Sequence, residues 1–326
     1  MQVYQYLELL LGVLAVFSGS LIFVNVIEYA AFKMKWPDSF LGSIVSPLFT
    51  SFPELIVFIM ALLLPNQTEG HEIATGVIFG EPFISSSLAY TLVLLAILPS
   101  FIRGNRRSST LQIDKSLSYP YLLISILYPL LLLAGYVSRE VDLLLGAVFL
   151  ISYVYYVHLM RAKAGAGMEE IPANPYLAKF ISTRKAELIQ IVTSIAILFY
   201  GSDLVVKGIG SVSLQLGLSP LTLAILVVPF ATIIPETMTA MIWGYRGKDS
   251  LAVGSLVGEK VLYSTLYPGI ALLIFPLVIN ESAVISVIAT ETVSLIYGLL
   301  LLKGRFPVHA LSLGLIFFVI FAYLVL

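Results

Sequence analysis

Four glutamates and three hydroxyls carry most of the chemistry this chain can do. They fall in two matched stretches. The first reads Pro47-Leu-Phe-Thr50-Ser51-Phe-Pro53-Glu54, followed by Gly76-Val-Ile-Phe-Gly80-Glu81. The second reads Pro229-Phe-Ala-Thr232-Ile-Ile-Pro235-Glu236, followed by Gly254-Ser-Leu-Val-Gly258-Glu259. Each sets a carboxylate and two prolines inside an otherwise apolar segment. An ionisable side chain at membrane depth is costly to keep and marks a functional site. Proline removes an amide donor and frees a carbonyl one turn back. Carbonyls, the hydroxyls of Thr50, Ser51 and Thr232, and the carboxylates of Glu54 and Glu236 would together form a nest of oxygen ligands. Hard cations such as Ca²⁺ take about six to eight oxygens. The chain has no cysteine and only three histidines (His71, His158 and His309), none at ligand spacing, which argues against a soft-metal site.

These residues must be positioned by helices in lipid. Hydrophobic residues make up 59% of the chain and charged residues 11%, against about 45–50% and about 25% in soluble domains. The mean hydropathy of +0.99 agrees. A net charge of −1 leaves no basic footprint for nucleic acid. Met1 to Glu8 has no basic start and no cleavage site follows, so the first apolar run is expected to be a membrane span. At roughly 20 apolar residues per span, ten helices are expected near 7–32, 39–64, 71–98, 118–137, 140–160, 185–212, 218–244, 250–278, 282–302 and 306–325. The connector at 161–184, with Gly165, Gly167, Pro172 and Pro175, separates a five-helix repeat at 1–160 from another at 185–326.

Fifteen of the eighteen basic residues fall in the odd-numbered connections: Lys33 and Lys35; Arg103, Arg106, Arg107 and Lys115; Arg161, Lys163, Lys179, Arg184 and Lys185; Arg246 and Lys248; Lys303 and Arg305. Only Arg139 lies in an even-numbered one, and Lys207 and Lys260 lie within spans. By the positive-inside rule the odd connections face the cytoplasm, and both termini face outward from a multi-pass protein of the cell membrane. With five helices per half, the second half must enter from the opposite side. Repeats inverted in this way are a transporter geometry, with the site near mid-membrane where they meet.

The halves superpose in sequence. Gly19-Ser20 matches Gly201-Ser202, Pro47 matches Pro229, Pro53 matches Pro235 and Glu54 matches Glu236, at one offset of 182. The third helices match at 178, Gly76 with Gly254 and Glu81 with Glu259. Two prolines six residues apart in both second helices predict interrupted helices, which survive in lipid only where protein or a water-filled cavity covers them. Glu81 and Glu259 lie about ten residues, or roughly 15 Å, into their spans, close to the midplane of a core about 30 Å thick. The glycine pairs Gly76/Gly80 and Gly254/Gly258 permit a close helix contact beside them.

Gly201-Ser-Asp203-Leu-Val-Val-Lys207-Gly208 and Leu218 to Glu236 resemble the first two helices of a repeat in the cation/calcium exchanger superfamily, nearest the sodium/calcium exchanger branch. The resemblance covers nearly the whole chain. It implies an all-α membrane protein of ten helices in two inverted repeats, which is not an enzyme and has no cofactor. It implies a secondary cation antiporter, exporting Ca²⁺ or a similar divalent ion against Na⁺ and/or H⁺ by alternating access. It makes Glu54 and Glu236 the central ligands, with Thr50, Ser51 and Thr232 beside them. The sequence also departs from the family pattern. Ile233 replaces a serine, Phe49 and Ala231 replace glycines, and the Gly-Ser-Asn pattern becomes Gly80-Glu81-Pro82 and Gly258-Glu259-Lys260. One turn on, Ser85 and Tyr263 replace an Asn or Asp ligand, and Ser85 joins Glu81 and Glu259 in the candidate set.

Four ionised glutamates around one divalent ion leave two negative charges, for which Lys260 and a proton are the candidates. The bland alternatives are an ion pair of Lys260 with Glu81 or Glu259, a local Asp203–Lys207 salt bridge, and a paired or interfacial Glu291. The expected partners are the lipid bilayer and small inorganic cations, and the expected state is a monomer. Two other classes stay open. An intramembrane enzyme using paired glutamates has no nucleophile motif or phosphate loop behind it. A relative that has lost transport and serves as a sensor or scaffold would account for the altered motifs.

Overall fold

The computed structural model describes residues 2–33, 44, 46–104, 106, 108–162 and 174–326. The turn at Lys35 to Asp38, the opening of the span expected at 39–64, Arg107, and Lys163, Gly165, Gly167 and Pro172 of the connector lie outside the described residues.

The protein is helical almost throughout. In chain order the helices are α1 (Gln2–Lys33), α2 (Ser46–Thr50), α3 (Phe52–Leu62), α4 (Gln67–Ile84), α5 (Tyr90–Ile102), α6 (Ser118–Leu127), α7 (Arg139–Ala162), α8 (Thr183–Leu216), α9 (Pro220–Tyr245), α10 (Asp249–Ile274), α11 (Glu281–Leu302) and α12 (Leu313–Val325). A π-helical turn, Ser85–Ala89, joins α4 to α5 just after Pro82, which cannot continue the amide ladder. Tyr128–Leu133 continues α6 as a 3₁₀ helix, and Tyr176–Lys179 is a short 3₁₀ turn before α8.

Among the described residues, eight helical stretches are long and apolar enough to cross a bilayer: Tyr4–Ala30, Gln67–Ile102, Lys115–Leu133, Arg139–Met160, Thr183–Leu216, Pro220–Tyr245, Glu281–Leu302 and Val308–Val325. Two of the ten expected spans are not among them. One is represented by the short apolar helix Phe52–Leu62. The other is α10, which has the length but is too polar, since it carries Glu259, Lys260 and several Gly, Ser and Tyr residues.

The described chain forms two compact units. The first is Met1–Val77 with Val157–Glu236, and the second is Ile78–Tyr156 with Thr237–Leu326. Each draws on both halves of the sequence, and α4 and α9 each contribute residues to both.

In the first unit the packing of α1 on α8 shows the inverted repeat directly. A Cβ at Gly12 would meet Val205 and Leu204, one at Gly19 would meet Leu198, one at Gly201 would meet Ala15 and Val16, and one at Gly208 would meet Leu9. As the number rises along α1 it falls along α8. The equivalent first helices of the two halves therefore run antiparallel, with backbones in close approach through glycine. A Cβ on Gly208 would sit 2.8 Å from the Leu9 Cα. Gly208→Val should therefore destabilise the protein by about 1–3 kcal/mol, the usual cost of overpacking, read as a lower midpoint of thermal unfolding in detergent. Buried amides tie the lead-in to α8 onto the same pair. Gln190 Nε2 donates to Asn25 Oδ1 (2.8 Å) and to the Ile22 carbonyl (3.0 Å). Tyr176 N donates to Asn25 Oδ1 (3.1 Å), and Leu177 N donates to Gln190 Oε1 (3.2 Å).

In the second unit α11 packs on α6 and α12, and α10 packs on α6. Two short antiparallel strands, β1 (Thr110–Gln112) and β2 (Arg305–Pro307), pair with Leu111 opposite Phe306. Asp249 at the start of α10 pairs with Arg106 and accepts from the Gln112 amide at 3.0 Å.

Candidate cation site

The second-helix motifs fold differently in the two halves. In the first, Ser51 separates α2 from α3 and is the N-cap of α3, and Pro53 and Glu54 lie in that helix's first turn. The amide-rich N-terminal end of a helix favours a carboxylate there. In the second, α9 runs through both Pro229 and Pro235 without a break, so the predicted interruption is absent. Each proline removes only its own amide bond, which frees the Ile225 and Ala231 carbonyls, and α9 carries on helically through both. Thr232 Oγ1 donates to the Pro229 carbonyl at 3.2 Å. Thr50 Oγ1 makes the equivalent bond to the Pro47 carbonyl at 3.3 Å. Ser51 Oγ donates to the Leu48 carbonyl (3.2 Å), and Ser85 Oγ to the Pro82 carbonyl (3.3 Å). A hydroxyl whose one proton is held by a backbone carbonyl meets any other group through its lone pairs, as a cation ligand must.

Three of the four candidate glutamates come together. Glu54, Glu81 and Glu236 each present a carboxylate oxygen, all within 4.8 Å of one another. They are 0%, 2% and 3% exposed. Thr50, Ser51, Thr232 and Ser85 are buried as well. Glu259 is buried on α10 but does not join this group; Ser255 Oγ donates to its Oε1 at 3.4 Å. The equivalence of Glu81 and Glu259 in sequence is thus not kept in the carboxylate group.

Magnitudes say what such a group requires. At an effective dielectric of about 20, two unit charges 4.8 Å apart repel by about 3 kcal/mol. Three mutually close carboxylates suffer this three times over, on top of a desolvation cost of several kcal/mol per ion. The arrangement is tenable when a cation or protons supply the missing positive charge.

Lys260 does not supply it. Its Nζ lies 3.7 Å from Glu291 Oε1, and both side chains are buried. It also lies over the Tyr128 ring, 5.0 Å from the centroid. The alternative of an ion pair with Glu81 or Glu259 gives way to this one because Glu291 on α11 is the acid that the ammonium reaches. Of the two readings of Glu291, paired or interfacial, the paired one holds, and a signal for its partner existed: Lys260 and Glu291 are opposite charges inside spans, and neither has a charged counterpart in the first half. Asp203 and Lys207 form the simple i,i+4 pair, at 2.6 Å.

One substitution tests the hydroxyls. Thr50→Val keeps the shape but removes one oxygen, and should weaken divalent-ion binding about tenfold, as the loss of a charge-assisted contact of about 1.5 kcal/mol does. Isothermal titration of the purified variant against wild type measures this.

Comparisons with known proteins converge on one family. The H⁺/Ca²⁺ exchanger CAX superposes with a TM-score of 0.76 at 21% identity, over 97% of this chain and 81% of that one. The sodium-calcium exchanger NCX_Mj superposes at 0.61 with 20% identity, over 98% of each chain. At these identities the likeness establishes the fold. CaxA of Alkalimonas amylolytica is 26% identical over 175 residues, 51% of this chain and 52% of that protein, so the chain spans about half the length of this relative. The inner membrane protein YrbG of Escherichia coli is 25% identical over 244 residues, 74% of this chain and 70% of that protein. A family model, described as sodium/calcium exchanger protein, matches residues 4–161 and 187–326. Nearly the whole chain is covered, and the protein belongs to the sodium/calcium exchanger family of membrane proteins.

Proposed function

We propose that the protein is a secondary active cation antiporter, exchanging Ca²⁺ or a similar divalent cation for Na⁺ and/or H⁺ by alternating access. Glu54, Glu81 and Glu236 are its proposed central ligands, with Thr50, Ser51, Thr232 and Ser85 as neutral oxygen donors and Glu259 outside the inner set. The observation that carries this is the buried three-carboxylate group. One divalent ion among three carboxylates leaves one negative charge, which favours a proton as a co-bound or exchanged species. The structural relatives CAX, an H⁺/Ca²⁺ exchanger, and NCX_Mj, a sodium-calcium exchanger, support cation antiport. The distribution of Lys and Arg supports insertion in the cell membrane with both termini outside.

Reconstituted proteoliposomes loaded with divalent cation test the proposal. Uptake or release driven by an imposed Na⁺ or pH gradient is the expected result, and the effective gradient identifies the coupling ion. No divalent flux under either gradient would overturn antiport and return the sensor or scaffold alternative.

A further inference from the structure

The Lys260–Glu291 pair belongs to the second unit, and Glu291 is not a member of the three-glutamate group. Four segments surround it. Lys260 comes from α10, Glu291 from α11, Tyr128 from the 3₁₀ continuation of α6, and Tyr121 and Ser125 from α6, with Ser125 and Tyr121 neighbouring Glu291. Lys260 is 0% exposed and Glu291 7%. An ammonium carries three donors and ordinarily directs them at acceptors. Here, Lys260 Nζ and both Glu291 carboxylate oxygens make no hydrogen bond among the described residues. The ammonium is held by charge, with a carboxylate oxygen at 3.7 Å and the centroid of an aromatic ring at 5.0 Å. That is how a site holds a spherical monovalent ion, through a carboxylate oxygen, a hydroxyl and a π face. At the offset of 178, the position of Lys260 corresponds to Pro82. The tethered charge is thus a feature of one half alone.

We propose that Glu291, Ser125 and the face of Tyr128 form a monovalent-cation site, distinct from the divalent-cation group, which the chain fills with its own Lys260 ammonium. The positive charge there is permanent and needs no ion from solution, so any Na⁺ dependence of the wild-type protein arises elsewhere. Removing the ammonium opens the site to Na⁺ or K⁺. Lys260→Met suits this because the methionine side chain ends one atom short, leaving the ammonium's place to a cation.

Thermal unfolding of the purified full-length protein in detergent decides it, at fixed ionic strength in NaCl, KCl or choline chloride with divalent ions chelated. Lys260→Met should gain a stabilisation of several °C in Na⁺ or K⁺ over choline that wild type lacks, following the mass-action effect of a ligand that binds only the folded state. Lys260→Met/Glu291→Gln should lose that gain. Equal cation dependence in Lys260→Met and wild type would overturn the site, as would a gain that survives Glu291→Gln. Failure of Lys260→Met to fold in all three salts, while Lys260→Met/Glu291→Leu folds, would also overturn it, since a free cation then cannot replace the ammonium. Because the readout is a salt-specific stability change, it holds or fails independently of divalent flux.

Discussion

Glu54→Gln and Glu236→Gln are each expected to reduce divalent-cation flux by at least about 100-fold, the scale of a lost charge-assisted contact of about 3 kcal/mol, while leaving the protein more stable without divalent ions. Both effects have one origin. Each glutamine keeps the side-chain shape but removes a charge from a group whose members repel by about 3 kcal/mol per pair. Thermal unfolding should therefore show a higher midpoint than wild type in chelator, and little or no rise when Ca²⁺ is added. Proteoliposome flux supplies the second readout. A glutamine variant that retains wild-type flux would remove that residue from the ligand set. A variant that loses flux together with stability would point to a structural role.

The second large effect concerns the buried ion pair. Glu291→Gln leaves the Lys260 ammonium in a dry interior without its counter-charge. Removing one partner of a buried pair costs about 3–5 kcal/mol, whereas replacing both by apolar groups is often neutral. Glu291→Gln should thus lower the unfolding midpoint sharply, and Lys260→Met/Glu291→Leu should recover most of the loss. If the single variant is as stable as wild type, the ammonium has another partner and the pair is not what holds these helices in register.

Much of the fold was legible because lipid leaves few options. Runs of apolar residues, the bias of Lys and Arg, and the repeated Pro-Glu segments fixed helices, inversion and family together. The antiparallel glycine contacts of α1 and α8 are that inversion in three dimensions. Local detail was harder to read. The proline pairs predicted two broken helices, yet only the first half breaks, at Ser51, while α9 carries Pro229 and Pro235 within one helix. A proline fixes which amide is missing but not whether the helix carries on past it. Glu81 and Glu259 looked alike on spacing, and only Glu81 shares the carboxylate group. Their difference lies in neighbours far away in sequence or one turn away, such as Ser255, which spacing does not encode. Lys260 was legible as a charge partner and Glu291 as a paired or interfacial acid, but that they pair with each other follows from packing between α10 and α11.

The seam of α1 on α8 joins the two halves of the polypeptide without using the peptide bonds between them. Asn25 and Gln190 reinforce it from opposite sides of the 161–184 stretch. Two separate genes, one ending near Ala162 and the other starting near Asn174, should therefore yield fragments that find each other in the bilayer and copurify. The fold then behaves as an obligate heterodimer of homologous partners that happen to be translated as one chain.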